Sequence, residues 1–148
     1  MHIAVTCGGY SGEAEISRKS AAMVVKHMDR ARFLPTLVHI NRDGWFAETE
    51  GGGRFPIDKG DFSWKDDAGV RHTFDAVFEM VHGTPGEDGR LSAYFELIGL
   101  PYTASQPRTL AIGHHKAWTT ALLAQIGHPV AKAGIFRNDI LDRLGEEV

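Results

Sequence analysis

At 148 residues, with 43% hydrophobic and 24% charged residues and a formal charge of −3, the chain can hold one domain with a real core, or one domain and part of a second. It has no basic excess to draw nucleic acid or anionic lipid, and no apolar run long enough to span a bilayer. Cys7 is the only cysteine, which excludes an intrachain disulfide; with no leader-like amino terminus, a buried thiol in a cytoplasmic protein is the expectation.

The apolar run His2 to Cys7, closed by Gly8 and Gly9, reads as a fully buried strand entering a tight turn. Helical spacing follows from Glu13 to Met28, with Ile16, Ser20, Met23, Val24 and His27 sharing the side expected to face the core. Phe33 to Ile40 is the next strand, giving the strand, helix, strand unit that builds parallel sheets. Asn41 to Thr73 is glycine-rich around short pieces such as Trp45 to Glu48 and Phe62 to Trp64, so an insert of small hairpins and loops is expected.

Phe74 to Val81 regains strand character, and Leu91, Tyr94, Phe95 and Ile98 then step along one helix face until Gly99 and Pro101 stop it. Tyr102 to Ala104 suits a short strand, and Trp118, Ala121, Leu122 and Ile126 share a face of a further helix ending at Gly127 and Pro129. Val130 to Phe136 reads as the first strand of a new unit, and Asp139 to Val148 as a charged helical tail. The order predicts an α/β fold: a Rossmann-like parallel-sheet domain over 1–127 with an insert at about 41–73, then 128–148 as the start of an incomplete second domain.

Two strand-to-helix junctions and one lysine are chemically distinctive. In Cys7 to Ser17 the glycines Gly8, Gly9 and Gly12 do not fit GxGxxG, and no GK[ST] marks a P-loop. Ser11 is the expected N-cap, and Glu13 and Glu15 both suit the positive end of the helix dipole. That accounts for Glu15. Glu13, at the lip of the turn, is open either to capping or to holding a ligand beyond the strand ends.

In Val81 to Arg90, Asp88 is an expected N-cap and the glycines allow a tight path. His82 is open to a structural role or to donation toward developing negative charge. Lys116 follows His114 and His115; consecutive helical side chains diverge by about 100°, which disfavours a metal shared by the two histidines. The lysine is either a solvated surface group or a point charge for phosphates.

Taken in order, these segments resemble the D-alanine:D-alanine ligase family. Gly8-Gly9-Tyr10-Ser11-Gly12-Glu13-Ala14-Glu15-Ile16-Ser17 fits its GGxSxExx[IV]S signature, and His82 to Gly89 fits HGxxGEDG. Leu91 to Tyr102, ending in ELIGLPY, resembles the segment that follows in the family, and Lys116, Trp118, Leu122 and Gly127 to Val130 extend the likeness. One departure is His114-His115, where the family usually has Met-Asp or Met-Asn.

The resemblance implies a pre-ATP-grasp domain followed by the start of an ATP-grasp domain. It implies an enzyme that joins two D-alanines through an acyl phosphate for peptidoglycan precursors, using ATP and Mg²⁺, with a homodimer as the assembly. Glu13 would hold the ammonium of the first D-alanine, Ile16 would be an apolar contact beside it, His82 would face the carboxylate being activated, and Lys116 would contact ATP phosphates. No metal ligand is assigned, since the family's metal-binding carboxylates fall beyond Val148, and this piece alone is expected to be inactive. The alternatives are another ATP-grasp ligase, such as the D-alanine:D-lactate type, or a non-catalytic ligand-binding α/β module.

Overall fold

The computed structural model describes residues 1–134. At its centre lies β1 (His2–Gly8), whose Ile3 to Gly8 are almost wholly buried because alternate side chains enter two different cores. Helix α1 (Ala14–His27) returns the chain to β2 (Leu34–Ile40), parallel to β1 with Val5 opposite Leu37. Four short strands then extend the free edge of β2 as an antiparallel meander: β3 (Trp45–Glu48), β4 (Arg54–Asp58), β5 (Ser63–Lys65) and β6 (Arg71–His72). The insert is therefore hairpins, and Gly51 to Gly53 form part of the exposed turn between β3 and β4.

β7 (Ala76–Glu79) crosses to the other side of β1 and pairs with it in parallel, giving the order β6-β5-β4-β3-β2-β1-β7. The parallel part is thus β2-β1-β7, and the sheet as a whole is mixed. The strand expected at Tyr102 to Ala104 contracts to a single parallel bridge between Tyr102 and Val77.

One face of the sheet is covered by α1, which packs with Val24, Val25 and Met28 against Ile3, Val5 and Cys7. The helix face differs from the expected one. Ser17 and Ala21 are its buried residues, whereas Ile16 and Met23 are 59% and 57% exposed. Small residues let the helix backbone approach the strands closely, so the inward stripe is not the most hydrophobic one. On the opposite face α2 (Arg90–Leu97) buries Leu91 and Phe95. Phe62, contributed by the insert, is 1% exposed, with ring centroids 5.0 Å from Phe95 and 5.6 Å from Phe74. Hairpins that look peripheral in the sequence thereby help close the main core.

The helical stretch expected between Ala104 and Gly127 is two elements, α3 (Pro107–His114) and α4 (Lys116–Gln125), separated at His115. The chain divides into compact units Met1–Ala111 and Ile112–Val148. Val130 to Gly134, the described part of the expected new strand, forms no strand. The rest of that strand and the tail from Asp139 lie outside the described residues.

Candidate functional site

Because β2 and β7 flank β1 on opposite sides, the order reverses at β1, and the loops leaving β1 and β7 meet beyond the strand ends. Such a reversal opens the crevice in which parallel α/β sheets bind ligands. Both sequence signatures occupy these loops, 8–13 and 80–89.

The two loops are fastened to each other. Ser17 Oγ, from α1, accepts from Gly8 N at 2.9 Å and donates to Met80 O at 2.5 Å. Tyr10 N donates to Thr84 O at 2.8 Å, and Ser11 Oγ donates to His82 O at 3.3 Å. The contact is too close for side chains at two positions. A Cβ on Gly9 (φ +113°) would stand 2.9 Å from His82 O, and one on Gly83 (φ +67°) only 2.6 Å from Ser11 Oγ. The glycines of each signature thus make room for the other loop.

Glu13 is exposed at the entry to α1. Its Oε2 lies 3.3 Å from the position a Gly83 Cβ would take, so its carboxylate stands over the residue next to His82. Ser11 is not the N-cap; Glu13 occupies that position without a side-chain cap bond, while Ser11 Oγ accepts from Glu13 N at 3.2 Å. The serine cap is displaced because Ser11 also fastens the loops. Ile16 follows Glu13 by three residues and its side chain is largely in solvent.

His82 is half-buried, with Nδ1 3.7 Å from Glu87 Oε1. Asp88 is likewise not the helix N-cap: Gly89 takes that place in the left-handed region (φ 82°), leaving Asp88 to accept from Thr84 Oγ1 at 2.5 Å and Arg90 N at 3.2 Å. Glu13 and His82 therefore stand on adjoining loops at one crevice.

Two groups nearby, buried Cys7 and half-buried Glu79, have perturbed acidity. Cys7, His39 and Glu48 are aligned, with Cys7 Sγ 3.5 Å from His39 Nδ1 and His39 Nε2 3.3 Å from Glu48 Oε2. They do not make a nucleophilic relay. Cys7 has no exposed surface, and burial pushes its thiol up to about 12, so it acts as the expected core residue. Glu79, at the end of β7, is raised to about 7 chiefly by burial, with Asp88 adding to the shift and Ser92 opposing it. Sequence reasoning missed Glu79, although a charge set between Phe78 and Met80 in the apolar stretch Ala76 to Val81 signals it. It also missed the fastening role of Ser17, whose clue is a hydroxyl on a buried helix stripe.

Lys116 belongs to the second unit and is the exposed first residue of α4. With His114, His115, Ala117, Thr120 and two later residues it lines a pocket of about 360 Å³. His115 caps the helix, its Nδ1 accepting from Trp118 N at 3.3 Å while the two rings stack 4.4 Å apart. The unusual histidine therefore replaces the missing Asp or Asn as an N-cap. Among the described residues no three metal-ligating side chains converge, and no helix is long and apolar enough to cross a membrane.

The family model described as "D-ala D-ala ligase N-terminus" matches residues 2–105. A D-alanine–D-alanine ligase of Flavobacterium psychrophilum is 38% identical over 149 aligned positions, covering 100% of this chain and 44% of that protein. The chain thus spans less than half the length of this relative. The solved D-alanine–D-alanine ligase of Coxiella burnetii is 31% identical with a TM-score of 0.81, over 99% of this chain and 50% of that one. The VanG D-Ala:D-Ser ligase of Enterococcus faecalis is 25% identical with a TM-score of 0.78, over 99% and 48%.

Proposed function

The chain belongs to the D-Ala–D-Ala ligase N-terminal family, and on that premise we propose that it forms the substrate-side part of an ATP-dependent ligase that joins two D-alanines for peptidoglycan precursors. One observation supports this most: the loops that carry Glu13 and His82 are fastened to each other at the reversal of strand order. An amino acid needs such a pair of opposite recognitions at one crevice. The Glu13 carboxylate pairs with its ammonium, and a donor imidazole faces its carboxylate.

In this reading a carboxylate oxygen of the first D-alanine attacks the terminal phosphorus of ATP, and ADP leaves. The amine of the second D-alanine attacks the resulting acyl carbon, the amide bond forms, the amine loses a proton, and inorganic phosphate departs with the oxygen it received. Glu13 fixes the first ammonium so that only the carboxylate reaches the nucleotide. Ile16 supplies an apolar wall, and His82 donates toward negative charge on the acyl group as it turns tetrahedral.

Lys116 is assigned to the ATP phosphates; an ammonium beside two imidazoles at a helix amino terminus is a donor set that suits them. ATP supplies the activated phosphoryl group when bound. Mg²⁺ belongs to the same proposal, although no cluster of ligands for it occurs among the described residues. The domain boundary near Gly127, a cytoplasmic location and a homodimer are further parts of this reading.

A second reading, a ligase that accepts D-serine as second substrate, is favoured by the likeness to the D-Ala:D-Ser ligase. The test is phosphate release by the full-length protein with ATP and D-alanine. Release with D-alanine and not L-alanine, lost in Glu13→Ala that remains folded, is the expected result. Equal release with L-alanine, or an unaffected Glu13→Ala protein, contradicts it. The 148-residue chain alone is expected to release none.

A further inference from the structure

Glu79 has no part in the chemistry above, yet it sits directly under the turn that carries His82. Its Oε1 lies 3.0 Å from where a Cβ on Gly86 would stand, a point only 2.4 Å from Val81 O. Only a glycine lets the turn descend this far onto the carboxyl. Glu79 Oε2 is buried, and the hydroxyl of Ser92 on α2 is the donor beside the carboxyl, although neither atom completes a hydrogen bond of ordinary geometry. The backbone N–H of Glu79 is held by Thr103 Oγ1 at 3.1 Å, which anchors the strand end from the other side.

The groups that face this carboxyl are few. Asp88 of the turn raises its pKa, Ser92 of α2 lowers it, and Tyr102 of the next segment feels its charge while donating to Glu96 Oε1 at 2.7 Å. His82 and Glu87 share with Glu79 a pocket of about 230 Å³, walled by Val81, Ala104 and Leu110. Charging a carboxyl so placed puts charge on a buried oxygen beneath Gly86, a cost that displacement of the turn relieves.

We propose that Glu79 is a positioning residue: its carboxyl, seated beneath Gly86 and beside Ser92, fixes the His82–Gly89 turn and with it the place of the His82 imidazole. The neutral carboxyl fits the closed turn; the charged one opens it. This rests on the proposed function only in giving His82 a substrate, because closure of the turn is measurable without one.

The measurement is amide hydrogen exchange, corrected for its intrinsic pH dependence, at Glu87 and Leu91. Their N–H groups donate across the turn to Gly83 O and Pro85 O, both at 2.8 Å. From pH 6 to pH 8 the wild-type protein is expected to lose about tenfold protection at these two amides, with the β1–β2 ladder unchanged. Glu79→Gln, neutral and of the same shape, is expected to keep protection at both pH values, and Glu79→Ala to lose it at both. Equal protection in wild type and Glu79→Gln at pH 8, or a pH-dependent loss that persists in Glu79→Gln, overturns the proposal; the glutamine variant decides it even if the alanine variant does not fold. Loss of ligase activity in Glu13→Ala alongside an overturned exchange result would remove this inference and leave the function standing.

Discussion

Replacing Ser17 with alanine removes the single hydroxyl that fastens both ligand loops to α1. Ser17 has no exposed surface, and the change leaves Gly8 N–H without its 2.9 Å acceptor and Met80 O without its 2.5 Å donor. Two buried backbone groups deprived of partners cost about 1–3 kcal/mol each, and partial rehydration of the Met80 carbonyl keeps the sum toward the lower end. The higher helix propensity of alanine returns roughly 0.5 kcal/mol, and the lost volume is one oxygen atom, too little for a cavity penalty. The net expectation is a loss of about 2–3 kcal/mol. Urea unfolding followed by Trp45 and Trp64 fluorescence in a Trp118→Phe background reads this unit, since both tryptophans lie within Met1–Ala111. A loss under about 0.5 kcal/mol, typical of ordinary surface changes, would refute the fastening role of Ser17.

Glu79 makes stability depend on pH in the direction opposite to most carboxylates. Its folded value of about 7 lies above the ordinary 4.5, so the folded state holds the proton more tightly and stability falls as pH rises from about 4.5 to 7. A rise of that size corresponds to roughly 3–4 kcal/mol at most, and unfolding of Glu79→Gln beside wild type at pH 5 and pH 8 should show the gap widening at the higher pH; parallel behaviour would contradict it. Gly83→Ala combines a φ of +67° with a Cβ only 2.6 Å from Ser11 Oγ, so it should cost about 2 kcal/mol or more and raise the D-alanine KM by displacing Glu13. A KM at the wild-type value would show that the loops do not position each other.

The β1, α1, β2 order was legible because each element has a clean period and glycine punctuation. So was the importance of the two junctions. The inward face of α1 was not, since Ser17 and Ala21 pack inward precisely through being small, while Ile16 and Met23 carry the hydrophobic signal outward. The caps were misplaced for a related reason: Ser11 and Asp88 spend their oxygens on loop geometry, a tertiary demand that local capping rules do not see. The helix break at His115 lacked its usual marker because an imidazole does the capping. Phe62 entered the core from the insert through long-range ring packing, which no local pattern announces.

The account stands or falls on whether D-alanine's own carboxylate is phosphorylated in the crevice of Glu13 and His82. Full-length protein supplied with ATP and D-alanine labelled with ¹⁸O in both carboxylate oxygens tests this by mass analysis of the released phosphate. The account predicts one labelled oxygen in each phosphate formed, at a rate that collapses in Glu13→Ala. Phosphate released without label, or with label undiminished in Glu13→Ala, would contradict it.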